Sequence, residues 1–157
     1  MTDLRRCSTC KQDLLETDFQ ILKNGKRKRQ CLSCNSTRFY QTINDSPKTY
    51  LSRLCSTSRG KVLKREGIPF TIDPEHLIEL WEKQEGRCAL SGVYMTHHRD
   101  GSGRKDLNAS LDRLIGSKGY VPGNVQLVCH RVNIMRHTLS VDMLYWWVKT
   151  INDHSCD

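Results

Sequence analysis

The sequence predicts an α+β protein: a small metal-bound N-terminal module, a helical segment, and a C-terminal module of short strands and helices. Two Cys-x-x-Cys pairs within the first 34 of 157 residues favour the metal-bound module. The second half alternates between short apolar runs, glycine-containing loops and helix-capping residues, which favours a small mixed fold. The length suits one ordinary domain or two small ones. We therefore expect a ribbon over residues 1–45, a basic helical linker over 46–70 and a C-terminal domain over 71–157.

The formal net charge of +8 is concentrated in the first half of the chain. Residues 1–70 contain 15 Lys and Arg against 6 Asp and Glu, whereas residues 71–157 contain 10 against 11. A basic half joined to a nearly neutral one indicates an arm that binds a polyanion. The alternative is an ordinary solubilising surface.

Eight cysteines are many for this length, and their partners depend on the compartment. We expect neither a secretory segment nor a membrane span, because the N-terminus is charged and no apolar run approaches ~18 residues. Thiols that are not exported stay reduced, so paired cysteines are expected to bind metal rather than form disulfides. The predicted location is cytoplasmic, and Cys156 is expected to be a free thiol.

Four cysteines have the spacing of a zinc ribbon: Cys7-Ser-Thr-Cys10 and Cys31-Leu-Ser-Cys34, with twenty residues between the pairs. Each Cys-x-x-Cys presents two thiolates to one ion, and two such knuckles complete a tetrahedral site. We predict one structural zinc, because four thiolates leave no open position for a catalytic water.

A basic hairpin is predicted between the two cysteine pairs. Phe19–Leu22 is expected to form a strand that enters a turn at Asn24-Gly25. Five cations surround this turn and are expected to be exposed and to contact nucleic-acid phosphates; a solubilising loop is the alternative. They are Lys23, Lys26, Arg27, Lys28 and Arg29.

Capping signals mark the helices. Pro47 suits a first helical turn, and Asp73-Pro74-Glu75 combines an N-cap, a proline at the first position and an acid that complements the dipole. A short strand is expected from Arg87 into a turn at Gly92. Ser140 should cap a helix over 141–151, with a frayed tail beyond it. One apolar face of this helix is expected to close the core: Met143, Leu144, Trp147 and Ile151.

The most informative stretch runs from Ala109 to Arg136. It reads as a strand that contains Asp112, a glycine-rich loop, Asn124, a short apolar strand, and a helix that carries Asn133 nine residues after Asn124. In this register the chain resembles the HNH (His-Me finger, ββα-metal) endonucleases, in particular members from phages and mobile elements, including homing enzymes, that carry an N-terminal zinc ribbon.

The resemblance implies a C-terminal ββα-metal domain flanked by helices and a metal-dependent endonuclease acting on duplex DNA. It implies that Asp112 and Asn133 bind a Mg²⁺ or Mn²⁺ ion and that Asn124 braces the loop. Arg131 and Arg136 on the same helix are expected to contact DNA. The location implied for a phage-encoded member is the bacterial host cytoplasm.

The chain departs from the family at the general base, where Arg113 replaces the usual histidine. A guanidinium cannot accept a proton near neutral pH, but it can bind a phosphate as a planar donor. The base candidates are then His130 and His137 on the helix, His97 and His98 in the preceding loop, or a metal-bound hydroxide. An inactive site is the remaining alternative.

A second departure concerns zinc ligands that many relatives carry in the C-terminal domain. The corresponding pairs here read Cys88-Ala-Leu-Ser91 and Cys129-His-Arg-Val132. We expect no zinc there, because two thiolates make a poor structural site, although histidines could complete one.

Two other functional classes stay open at this point. One is a non-catalytic nucleic-acid-binding protein on an altered HNH scaffold. The other is a zinc-ribbon interaction module or transcriptional regulator. The oligomeric state is not predicted.

Overall fold

The computed structural model describes residues 3–64, 67–99 and 103–155. The chain forms two compact units, Met1–Ile43 and Asn44–Asp157. Helices and small antiparallel sheets make it an α+β protein, as the sequence predicts. Among the described residues no helix is both long and apolar enough to cross a membrane. The prediction for Cys156 lies outside these residues.

The first unit has a very small core. Strand β1 (Leu4–Arg6) pairs antiparallel with β2 (Asp13–Leu15), and a 3₁₀ turn, Glu16–Asp18, follows. Its hydrophobic cluster consists of Phe19, Cys7 and Cys31, against which Leu14 and Cys34 pack. A core of this size offers little hydrophobic stabilisation, so the unit depends on its cysteine cluster.

The turn predicted at Asn24-Gly25 is confirmed, but the strand predicted over Phe19–Leu22 is wrong, since a single bridge at Ile21 stands in its place. Ile21 and Arg27 form an antiparallel bridge, and Gly25 has a φ of 77°, a left-handed conformation that glycine adopts without strain. Helix α1 (Leu32–Asn44) begins directly after Cys31. Sequence patterns did not predict this helix, because neither a standard capping residue nor a proline marks its start.

Helix α2 (Pro47–Val62) is part of the core of the second unit. Ser46 caps it by accepting a hydrogen bond from the Thr49 N–H, as Pro47 at the first position leads one to expect. Its buried face includes Tyr50, whose hydroxyl donates to the Ala109 carbonyl at 2.9 Å. The basic segment therefore packs beside the strand that carries Asp112.

Helix α3 (Pro74–Lys83) begins at the predicted cap, where the Asp73 carboxylate accepts the His76 N–H at 2.8 Å. Just beyond its end, the Gln84 amide donates to the Leu127 carbonyl and accepts the Leu127 N–H, at 2.8 and 3.0 Å. Gln84 thus gives the buried Leu127 N–H its partner, while the Leu127 carbonyl also accepts the Ala89 N–H at 3.0 Å.

Strands β3 (Ala109–Arg113) and β4 (Val125–Cys129) form an antiparallel pair in which Asp112 lies opposite Gln126. Helix α4 (His130–Arg136) follows β4 without a break and contacts both strands. Two strands and a following helix give the ββα arrangement within which the polar residues lie.

Gly119 marks a close approach between the β3–β4 loop and the α2–α3 connection. Its φ is 75°, and a Cβ there would lie 2.5 Å from the Pro69 carbonyl oxygen, so only glycine fits. The neighbouring Tyr120 N–H donates to the same carbonyl at 2.8 Å, and the Thr71 N–H donates to Tyr120 O at 2.9 Å.

Helix α5 (Val141–Ser155) differs from the prediction in two ways. Ser140 caps it as expected, but the helix continues through residues predicted to be frayed. Of the face predicted to close the core, only Leu144 is buried, and Trp147 and Ile151 are 45% and 63% exposed. The reason is that α5 packs on α4, whose seven residues cannot cover a fifteen-residue helix.

The strand predicted after Arg87 is wrong. The Cys88 N–H donates to the Val93 carbonyl, and the Gly92 N–H donates back to Cys88, which closes a tight turn. A single bridge between Arg87 and Tyr94 is all the pairing that remains.

Candidate active site

The four ribbon cysteines converge as their spacing predicts. The sulfur atoms of Cys7, Cys10, Cys31 and Cys34 all lie within 4.8 Å of one another. Cys7 and Cys31 are buried, and Cys10 is exposed. Such a cluster can hold a single metal ion, and an all-thiolate donor set is the one that zinc prefers in structural sites.

Backbone groups surround the sulfurs in the way that a thiolate cluster requires. The Cys31 N–H donates to Cys7 Sγ at 3.3 Å and lowers the pKa of the Cys7 thiol to about 6. The side chain of Cys31 raises the pKa of Cys34 to about 12. Four sulfurs this close cannot all ionise without a cation among them, so the cluster fits a bound metal.

The cations of the hairpin divide into two groups. Lys23, Lys26 and Arg29 are exposed as predicted. Arg27 instead turns inward: it donates to the Phe19 carbonyl at 2.9 Å and forms an ion pair with Glu16 at 3.3 Å. Lys28 donates to the Asn35 side chain. The expectation that all five are free surface charges is therefore wrong for Arg27 and Lys28, because the small unit uses them to hold its own loops. Their contact with nucleic acid stays a prediction.

The ββα arrangement carries a polar pocket of about 290 Å³. Strand β3, the loop after it and the end of α4 contribute its walls. Five of the residues singled out by sequence line it together: Asp112, Arg113, Asn133, Arg136 and His137. The other lining residues are Leu111, Gly116, Tyr120 and Thr138.

Asp112 is buried at the centre of this group, with only 5% of its surface exposed. One carboxylate oxygen accepts from Gln126 at 2.8 Å, and the other forms an ion pair with Arg136 at 2.5 Å. Arg136 is itself 7% exposed and also donates to the Leu114 carbonyl. This predicted DNA-binding arginine therefore lies inside the unit as the counter-charge of Asp112.

The amide of Asn133 has a fixed orientation. Its nitrogen donates to Ser110 Oγ at 2.9 Å and to the Leu111 carbonyl at 2.8 Å. Both amide protons are thereby used, and within the described part of the chain no donor reaches Asn133 Oδ1. The oxygen atom is consequently left available at the pocket.

Asn124 makes loop contacts of the kind that the resemblance implies. It is 4% exposed, accepts the Ile115 N–H at 3.0 Å, and donates to the carbonyls of Ile115 and Gly119 at 2.9 and 2.7 Å. These three bonds close the β3–β4 loop upon itself and fix the exit of β3.

Arg113 extends beside the pocket on the last residue of β3. Its guanidinium donates to the Gly116 carbonyl at 2.8 Å and lies 5.0 Å from the centre of the Tyr120 ring. Among the described residues no carboxylate pairs with it. Its charge is therefore held in position and left available for an anion.

The candidate bases are not equivalent. His137, at the end of α4, lines the pocket and has a φ of 45°, which turns the chain out of the helix. His130, at the start of α4, is outside the lining set. Burial and the nearby cations Arg104 and Arg131 lower the pKa of His130. His97 and His98 are likewise outside it.

Two further predictions concern residues near α4. Arg131 forms an exposed ion pair with Asp106 at 2.8 Å, and its contact with DNA stays a prediction. Cys88 and Cys129 are buried near each other: burial raises the pKa of Cys129 to about 11, with Cys88 adding to the effect. Burial acts against the Cys88 thiolate, but hydrogen bonds from Ser91 and backbone groups outweigh it and lower the pKa of Cys88.

Sequence reasoning missed Gln126, Tyr120 and Thr138 as neighbours of Asp112. The pairing register gives a signal for Gln126, because it lies directly opposite Asp112. Nothing in the sequence pattern indicated the other two.

No protein-family model matches the chain, and no curated protein matches it either. Among solved structures, the chain is similar to the rare-cutting HNH restriction endonuclease PacI, with a TM-score of 0.44 and 16% identity. That alignment covers 96% of this chain and 94% of the other.

Proposed function

We propose that the chain is a metal-dependent endonuclease that hydrolyses phosphodiester bonds in duplex DNA. In this proposal residues 71–157 form the HNH-like catalytic domain, residues 1–45 a zinc ribbon that aids DNA binding, and residues 46–70 the basic helix between them. The observation that carries it is the pocket in which Asp112, Asn133 and Arg113 meet on a ββα frame. Binding alone would not require two oxygen ligands beside a free arginine.

The donor atoms at the pocket fit a hard divalent cation. Each Asp112 oxygen accepts one protein hydrogen bond, so lone pairs remain on both, and the Asn133 amide presents its oxygen. Carboxylate and amide oxygens are the ligands that Mg²⁺ and Mn²⁺ take, with water and phosphate completing the shell. When bound, such an ion supplies the Lewis acid that offsets charge on the phosphate.

The other side chains would position the substrate and the ligands. Arg113 would bind a phosphate oxygen through its planar fork. Arg136 would hold the Asp112 carboxylate at its place in the pocket. Asn124 would keep the loop after β3 closed, so that Arg113 and Gly116 stay beside each other. These are the roles in which displacement by about 1 Å would lower the rate on the order of 100-fold.

Proton transfer would require a group with a pKa near neutrality. His137 is the supported candidate, since it lines the same pocket as Asp112 and Asn133. His130 remains a prediction from the sequence, because it lies outside the residues that line the pocket.

A non-catalytic DNA-binding protein is the second candidate function, and the Asp112–Arg136 ion pair favours it. A carboxylate whose charge is already balanced by a buried guanidinium attracts a metal ion less strongly. This candidate predicts DNA binding that is independent of Asp112 and no cleavage with any divalent metal.

The deciding experiment is cleavage of supercoiled plasmid by zinc-loaded protein with Mg²⁺ or Mn²⁺. The natural protein is compared with Asp112→Ala, Asn133→Ala, Arg113→Ala and His137→Ala. Asp142→Ala is the matched control, because Asp142 is an exposed acid on α5, away from the pocket. We expect nicked or linear product from the natural protein and the control, and a loss on the order of 100-fold or more for Asp112→Ala.

Each variant separates one role. Retained cleavage by Asp112→Ala would overturn the metal site. Retained cleavage by His137→Ala would show that His137 is not the base and would leave His130 or solvent as the proton acceptor. If the natural protein shifts DNA but yields no product with either metal, the non-catalytic candidate replaces the nuclease.

A further inference from the structure

A second concavity lies on the ribbon unit, and four of its six lining residues are cationic. Its volume is about 300 Å³, within the lower range of ligand pockets. The lining residues are Arg5, Arg6, Cys7, Ser8, Lys11 and Arg29. Only Arg29 belongs to the cation cluster that the sequence pattern assigned to the hairpin.

The first cysteine knuckle brings these residues together. The Ser8 N–H donates to the Arg29 carbonyl at 3.0 Å, which fastens the knuckle to the segment that leaves the hairpin. The Lys11 N–H donates to the Cys7 carbonyl at 3.0 Å, and Lys11 adopts a left-handed φ of 61°. The turn therefore places Lys11 beside the end of β1. The Ser8–Arg29 bond brings Arg29 to the same place, although Arg29 is more than twenty residues from β1 in sequence.

The charges of the concavity are not neutralised by the described residues. The side chains of Arg6 and Arg29 make no hydrogen bond or ion pair within the described part of the chain, even though Asp13 lies opposite Arg6 in the strand pair. Lys11 Nζ donates only to the Ser8 carbonyl, at 2.8 Å. Arg5 lies 5.6 Å above the centre of the Phe19 ring and donates to the Arg27 carbonyl at 3.5 Å, two contacts that hold its guanidinium without balancing its charge.

Arg27 shows what a neutralised cation looks like in the same unit. Its Nε is paired with Glu16 and its Nη1 donates to a backbone carbonyl, so a carboxylate already balances its charge. The contrast matters because an anion gains most from cations whose charge is not already balanced.

The chemistry of the lining suits the phosphodiester groups of a nucleic acid. Arginine forks bind phosphate oxygens bidentately, and the Ser8 hydroxyl adds a neutral donor. The lining contains no aromatic ring on which a base could stack, so it is suited to a nucleic-acid backbone rather than to base edges.

We propose that this concavity, formed by Arg5, Arg6, Lys11 and Arg29, is the main phosphate-binding surface of the ribbon unit. It binds the DNA backbone without regard to sequence, and the hairpin tip with Lys23 and Lys26 contributes less. The choice of DNA as the polyanion rests on the proposed function. Because Cys7 forms part of the lining, the surface also depends on an intact cysteine cluster.

The test measures binding of a fluorescein-labelled DNA duplex by fluorescence anisotropy at several salt concentrations, without Mg²⁺ or Mn²⁺. The double variant Arg6→Ala, Arg29→Ala is compared with Lys23→Ala, Lys26→Ala, which removes the same charge from the hairpin tip. If two phosphate contacts are lost, the slope of log K against log salt falls by about 1.8 in magnitude. The tip variant is expected to change it by less than half of that.

Zinc content of every variant is measured first. Should the double alanine variant lose zinc, the single variants Lys11→Gln and Arg6→Gln carry the test, with an expected slope change of about 0.9 each. Equal losses in the two double variants would show diffuse attraction and overturn the proposal, as would a larger loss from the tip.

The result is independent of the nuclease proposal, because no cleavage is measured. Selective loss of binding in a protein that never cuts plasmid would keep this surface and remove the nuclease. If the protein cleaves plasmid but its DNA binding does not change when Arg6, Arg29 or Lys11 is replaced, the nuclease proposal stands and this surface is overturned.

Discussion

In the unit Met1–Ile43 the hydrophobic cluster consists of Phe19 and cysteine side chains, with Ile43 buried outside it, whereas most of the core of Asn44–Asp157 consists of aliphatic side chains from strands and helices. In the larger unit Leu51, Leu77 and Leu127 are all fully buried. The smaller unit has no equivalent, so the metal must supply what burial cannot. The two units also differ in their ion pairs, because the Arg27–Glu16 pair of the ribbon is partly exposed, whereas the Asp112–Arg136 pair beside β3 is buried.

Removal of the metal should have the largest effect and should be confined to one unit. Cys7→Ser, or a chelator, is expected to unfold the ribbon unit, since zinc binding supplies about 10 kcal/mol or more in comparable small modules. Hydrogen exchange read separately over α1 and β4 measures this. Cys55→Ser is the control: it changes a buried thiol of the larger unit and should leave the zinc content unchanged. Unaltered exchange in the ribbon after zinc removal would contradict the contrast.

Breaking the buried ion pair should be the next largest effect. Arg136→Leu leaves the Asp112 carboxylate buried without its counter-charge, which is expected to cost about 3 to 5 kcal/mol in the free energy of unfolding. Urea denaturation measures it, and adding Asp112→Leu should restore most of the loss. Arg131→Leu breaks an exposed pair and should cost at most about 1 kcal/mol. Equal costs for the two arginines would show that burial does not matter here.

Removal of the loop brace should be smaller. Asn124→Ala leaves the Ile115 N–H and two loop carbonyls without their partner, for an expected loss of about 1 to 3 kcal/mol. Asn24→Ala, in the exposed hairpin turn, is the comparison and should cost well under half as much. A larger loss from Asn24 would mean that the ribbon turn, not the β3–β4 loop, is the more constrained.

The smallest effect should be a pH dependence from His130. Burial lowers the pKa of His130 below its ordinary value of 6.5, so the unfolded chain binds a proton more readily than the folded one. The stability contribution is therefore present above that value and is lost as the pH falls through it. His130→Gln should flatten the stability profile on the acidic side, whereas His154→Gln, on the exposed end of α5, should not. If His130→Gln leaves the pH profile unchanged, protonation of this histidine does not contribute to the free energy of unfolding.

Local signals predicted the parts of the fold that local chemistry determines. The Cys-x-x-Cys spacing predicted the thiol cluster, and Asp73 and Ser140 predicted helix starts, because a knuckle or a cap needs only neighbouring residues. The apolar face of α5 was predicted to be buried and is not. Periodicity shows which residues share a face, but it does not show whether anything covers that face.

The candidate site was predicted in its residue types but not in its pairing. Asp112, Arg113 and Asn133 line one pocket, as their register suggests. Asp112 and Arg136 are 24 positions apart, so no local pattern indicates their ion pair. The sequence does not show whether an arginine on a helix faces solvent or a carboxylate. The separation of His130 from His137 likewise depends on which end of α4 the pocket meets.

The close approach at Gly119 decides where a fragment that contains the pocket can begin. The Pro69 carbonyl accepts the Tyr120 N–H, and a side chain at Gly119 would collide with Pro69. A fragment that starts at residue 71 would keep every pocket-lining residue, but it would lose the Pro69 carbonyl that accepts the Tyr120 N–H. The shortest fragment able to present the pocket in this form must therefore begin before Pro69. A graft of the β3–β4 loop onto another scaffold would have to include the segment with Pro69 as well.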